Sequence, residues 1–96
     1  MTAGLIAAGL DGVDNKRNPG NPLNINHYTS DLSTTDVDIL PQNLDRALDA
    51  LEEDTLFSDT LGQGIVEEFI RIKRMEWTEY MRHVSDWEVD RYLEYF

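Results

Sequence analysis

Ile65-Val66-Glu67-Glu68-Phe69-Ile70-Arg71-Ile72-Lys73-Arg74-Met75-Glu76-Trp77-Thr78-Glu79-Tyr80-Met81-Arg82-His83 is the stretch that decides the fold. Val66, Ile70, Trp77, Met81 and, just beyond, Val84 fall on one face at steps of three and four residues, with Phe69 and Tyr80 beside them. That spacing is the mark of an amphipathic helix that packs along a seam. Lys73 interrupts the seam, and its aliphatic stem can lie along the apolar surface while its amine reaches water.

Working outward, Ser85-Asp86-Trp87-Glu88 has the Ser-x-x-Glu pattern of a capping box, so a last helix is predicted over about Asp86 to Tyr95. On the other side, Gly62 and Gly64 break the long helix from Asp54 to Leu61, where a further turn or two is expected. Before that, Asn43 is a good N-cap, and Leu44, Ala47, Leu48 and Leu51 form a stripe at i, i+3, i+4 and i+7. Asp45, Arg46, Asp49 and Glu52 lie off that stripe, and the helix is predicted over Leu44 to Glu53. Thr2 to Leu10 is a short Ala- and Gly-rich helix without a polar face, predicted to end at Asp11-Gly12. Between them, Asp14 to Leu40 is rich in Asn and Pro and reads as a long irregular stretch, of the length that is usually functional or disordered.

These elements make an all-α chain of three to four helices with a long irregular N-terminal loop. The one boundary falls near Leu40: residues 1–40 hold the apolar helix and the surface loop, and 41–96 form the helical C-terminal segment. The core is expected to centre on Leu44, Leu48, Leu51, Phe57, Val66, Phe69, Ile70, Trp77, Met81, Trp87 and Leu93. A ten-residue helix that is apolar all round cannot bury itself within 96 residues, which implies a larger body beside it.

Composition narrows the function classes. Nineteen acidic residues against eight basic ones give a formal net charge of −11, which disfavours nucleic acid and anionic membrane as partners. There is no cysteine, hence no disulfide and no thiol chemistry, in keeping with a cytoplasmic origin. Met1 to Leu10 is apolar but lacks a basic leader and is about half the length of a bilayer span.

Candidate chemistry is sparse. His27 and His83 are isolated and lie in no zinc-type spacing. Asp31, Asp36 and Asp38 alternate in the loop but lack the central Gly and closing Glu of a calcium loop. Gly9 and Gly12 follow no strand and precede no Lys-Ser/Thr pair, so they are no phosphate cradle. None of Ser30, Ser33, Ser58 and Ser85 sits in a nucleophile elbow. Read from these residues, the chain has no catalytic, cofactor or metal site. Trp77, Tyr80, Trp87, Tyr92 and Tyr95 enrich the C-terminal half in aromatics, suited to a core or to a protein–protein surface.

The order of motifs resembles the C-terminal stretch of bacterial glutamine synthetases of the large, ring-forming type. Ala7-Ala8-Gly9-Leu10-Asp11-Gly12-Val13, Asn15-Lys16, Pro19-Gly20 and Asn26-His27-Tyr28 are similar to the family's Ala-Gly-Leu-Asp-Gly-Ile, Asn-Lys, Pro-Gly-Glu and Asn-Leu-Tyr elements. Leu40-Pro41-Gln42-Asn43-Leu44 through Leu51, and Phe69-Ile70 through Trp77, resemble its two helical segments. Val84 to Glu88 with Arg91-Tyr92-Leu93 looks like a subgroup that includes type III proteins and γ-glutamylmethylamide synthetases.

The resemblance implies an ATP-dependent glutamate–ammonia or glutamate–amine ligase, with Mg2+ and ATP as cofactors of the parent enzyme. Its metal-binding glutamates and phosphate-holding arginines lie upstream of this region, so none carries over. It also implies stacked rings in which a C-terminal helix reaches the opposite ring, a role suited to Tyr92, Leu93, Tyr95 and Phe96. Tyr28 matches the position that is adenylylated in some bacterial members, although His27 replaces Leu and Thr29-Ser30-Asp31 replaces Asp-Leu-Pro. The expected partners are therefore the remainder of the parent ligase and neighbouring subunits, and the isolated chain is expected to be inactive. Thr2 onward reads as mid-domain sequence, with Met1 an added start or the start of a truncated gene. The alternative is a stand-alone small acidic helical module that binds a partner protein. Such a module has to cover Leu5, Ile6 and Leu10 with its own helices.

Overall fold

A computed structural model describes residues 1–31 and 37–95. Among these residues five helices occur, in the order α1 (Thr2–Asp14), α2 (Leu44–Glu53), α3 (Thr55–Leu61), α4 (Gln63–Arg82) and α5 (Asp86–Tyr92). No strand occurs among the described residues, so the fold is all-α. The turn or two expected over Asp54 to Leu61 is the seven-residue α3.

α1 passes through the Asp11-Gly12 pair that was expected to stop it. Its end is fixed further on. The Arg17 N–H donates to the Gly12 carbonyl at 3.0 Å and the Lys16 N–H to the Val13 carbonyl at 3.2 Å. Together with Lys16 at φ 48°, these bonds make a Schellman end with a lysine where glycine usually sits. The Asp11 carboxylate braces it, accepting from Asn15 Nδ2 at 2.8 Å and Arg17 Nε at 2.6 Å.

The other helix ends obey their capping residues. Asn43 Oδ1 accepts from the Arg46 N–H at 2.9 Å, which starts α2 where the sequence predicts. Asp54 both closes α2, by donating its N–H to the Leu51 carbonyl, and opens α3, by accepting from the Leu56 N–H. Gly62, at φ 99°, closes α3 and opens α4. α4 thus begins two residues before the expected Ile65. Ser85 and Glu88 form the predicted capping box of α5, whose regular part stops at Tyr92 with turns beyond it.

α2 and α3 lie against α4, and α1 lies against α3. The core is small: Leu48, Val66 and Ile70 are buried, and Leu44, Leu51, Phe57 and Leu61 pack around them. Leu48 is 2% exposed. Ala7 is the only buried residue of α1. Phe69, Met81, Trp87 and Leu93 stay exposed, against expectation, and Trp77 is half-buried. The reason is length. α2 runs antiparallel to α4 and is half as long, so Leu44 reaches Trp77 and Met81 lies past its end. α5 packs on none of the other helices to a comparable extent, which leaves Trp87 and Leu93 uncovered.

Candidate functional site

The residues singled out in the sequence occupy two separate places. Tyr28 sits in an Asx turn. Asn26 Oδ1 accepts from the Tyr28 N–H at 3.0 Å, and the Asn26 carbonyl accepts from the N–H groups of Thr29 and Ser30. The turn holds the backbone and leaves Tyr28 98% exposed. His27 beside it is also exposed.

The second place is the C-terminal tail. Tyr92 meets Trp87 edge-on, with ring centroids 6.1 Å apart, in the geometry that aromatic quadrupoles favour. Leu93, 75% exposed, and Tyr95 project from the turns after α5. Phe96 lies outside the described residues, as do Ser33 and Asp36 of the loop. The structure does not bring Tyr28 and the tail together.

Two further features escaped the sequence reading. One is an apolar groove of about 460 Å3 between α1, α3 and α4. Met1, Ala3 and Gly4 form one wall, and Leu61, Ile65 and Phe69 the other. Gly4 faces the Phe57 ring of α3, and a β-carbon there would lie 3.6 Å from it, in ordinary van der Waals contact. Leu5, Ile6 and Leu10 point elsewhere, at 69%, 58% and 56% exposure. The all-apolar character of α1 was the available signal; what it faces was not readable.

The other is ionic. Arg74 Nη1 donates to Asp45 at 2.5 Å, and Nη2 to Asp49 at 2.6 Å and Glu52 at 3.1 Å. The hydrogen bond that the guanidinium donates to Asp49, and then that to Glu52, raise its pKa above the ordinary value. The signal was present as acids one turn apart off the α2 stripe. Lys73, which interrupts the α4 seam, does reach outward: its amine meets Glu76 at 2.9 Å and lies 5.9 Å from the Phe69 ring centroid.

No group of three His, Cys, Asp or Glu side chains is placed to hold a metal among the described residues, and no helix there is long and apolar enough to cross a membrane. In comparison with known proteins, the glutamine synthetase catalytic domain, as a family, matches residues 1–92. The chain belongs to the glutamine synthetase family. It is 54% identical to the glutamate–methylamine ligase of Methyloversatilis universalis over 99% of its own length. It is 44% identical to a glutamine synthetase of Halobacterium salinarum over 98%, and 38% identical to that of Thermotoga maritima over 95%. The chain spans about a fifth of the length of these relatives: 22%, 21% and 21% respectively.

Proposed function

We propose that this chain is the C-terminal helical segment of a glutamine synthetase-like, ATP-dependent glutamate–ammonia or glutamate–amine ligase, and that its role there is structural. The observation that carries the reading is unburied surface. The chain exposes 8781 Å2. A compact monomer of its 11.1 kDa mass exposes roughly 5,700 Å2. The excess, roughly 3,000 Å2 on this one chain, is as much as one partner contributes to a large obligate interface. It includes Leu5, Ile6 and Leu10, which a self-sufficient module would cover, so the alternative of a stand-alone module loses ground.

In this reading α1 and the groove dock on the remainder of the parent ligase in the cytoplasm, and the tail at Tyr92, Leu93 and Tyr95 meets a neighbouring subunit. Tyr28 is a position open to regulatory modification. Mg2+ and ATP belong to the parent enzyme. Among the described residues, no group of three His, Cys, Asp or Glu side chains is placed to hold the metal.

The test is co-expression of the chain with a glutamate–methylamine ligase from which the matching fifth has been deleted. Co-purification, with restored glutamate-dependent ATP hydrolysis in the presence of methylamine or ammonia, supports the proposal. A chain that stays monomeric, melts cooperatively and fails to co-purify overturns it.

A further inference from the structure

α2 carries an acidic row. Asp45, Asp49 and Glu52 stand at i, i+4 and i+7, along one edge of a ten-residue helix. Like charges at that spacing weaken a helix, and ten residues are too few to be stable alone in water. The row is nevertheless helical, and all three carboxylates close on one guanidinium from another helix. A planar guanidinium can do this, since its donors fan out from a rigid fork; an ammonium is a compact point charge. The neighbouring α4 cations are committed elsewhere: Arg71 to Glu68 at 2.5 Å, and Lys73 to Glu76. Arg71, Glu67 and the uncharged Ser58 of α3 border the same depression as Glu52 and Arg74. Within the cluster itself, Arg74 sets one positive charge against three negative ones.

We propose that Arg74 is a latch on which both the helicity of α2 and its docking on α4 depend, and that its loss leaves a self-repelling row that drives α2 away. Leu48 of α2 completes the core with Val66 and Ile70, so release of α2 opens that core. Asn43, the α2 cap, ends the irregular stretch that carries Tyr28, so the latch also anchors the downstream end of that stretch.

The chain contains its own reporter. Trp77 shares a depression with Gln42, Asn43 and Leu44 at the start of α2, so its shielding reads whether α2 is docked. The other tryptophan, Trp87, is exposed, and Trp87→Phe leaves Trp77 as the sole emitter. In that background, acrylamide quenching, the emission maximum and far-ultraviolet circular dichroism are measured at neutral pH. Arg74→Met, which keeps much of the stem and removes the charge, is expected to raise quenching, shift emission to the red and lower helicity. Arg74→Lys is expected to fall between it and the parent. Adding Asp45→Asn, Asp49→Asn and Glu52→Gln to Arg74→Met is expected to restore shielding and helicity. Unchanged shielding in Arg74→Met overturns the latch. So does a loss that neutralising the row fails to restore, because the arginine stem, and not its charge, would then be what holds α2.

Discussion

Leu48 is the side chain on which the small core closes, and truncating it shows how little redundancy there is. Leu48→Ala removes contacts with both Val66 and Ile70 and is expected to cost about 2–5 kcal/mol. A urea or thermal melt reads it, and a loss under about 1 kcal/mol would show that the site is not packed. Trp77→Ala is expected to cost less, about 1–3 kcal/mol, because Trp77 is only half-buried and has Tyr80 as its aromatic neighbour at 5.6 Å. Acid acts on three other residues. The backbone hydrogen bond from Ser85 lowers the pKa of Glu88, and hydrogen bonds from Arg17 and Arg71 lower those of Asp11 and Glu68. A carboxyl with a lowered folded-state pKa takes up its proton more readily in the unfolded chain. Its contribution is therefore complete above the ordinary carboxylate range and is lost as pH falls through the lowered value. The melting temperature is expected to fall between neutral pH and about pH 3–4, and a flat profile would remove these pairs from the account.

At the scale of helices, caps were the most legible part of the sequence. Asn43 and the Ser85–Glu88 box stand where their residue types placed them, because each cap is a local hydrogen bond between neighbours in the chain. Ser85→Ala is expected to cost α5 about 0.5–2 kcal/mol, read as lost amide-exchange protection over residues 86–92. The end of α1 was not legible. Asp11-Gly12 has the composition of a stop, but the bonds that finish the helix involve Lys16 in a left-handed conformation that lysine does not favour. Lys16→Gly is accordingly expected to stabilise this end by up to about 1 kcal/mol, unless the Asp11–Arg17 pair is disturbed with it. The seam of α4 was read correctly as amphipathic and too generously as core. Periodicity shows that Val66, Phe69, Ile70, Trp77 and Met81 share a side; it cannot show how far a shorter partner helix extends along it.

Taken whole, the molecule has a Cα radius of gyration of 18.6 Å, where a compact domain of this length has about 13 Å. Its extents of 58 × 39 × 20 Å describe a thin, spread arrangement. The aromatic tail was picked out in the sequence by its residue types, whereas the groove was invisible there because it is defined by what is not packed against it. Light scattering after size exclusion is expected to show self-association of the isolated chain, with a shallow melt, because uncovered apolar patches find one another. Ile6→Asp, on the open side of α1, is expected to reduce that association; a monomeric parent chain would refute the prediction. The corners at Asp54 and Gly62 bear on how this segment can change in length. Each joins two helices through a single residue, so there is no loop at either corner to absorb an added one. One codon inserted at either corner would displace Phe57 and Leu61, or Val66 and Ile70, from their places around Leu48. Insertions and deletions among relatives should therefore collect between residues 16 and 43 and be missing from 54 to 62, a pattern of gene drift set by two hinges with no slack.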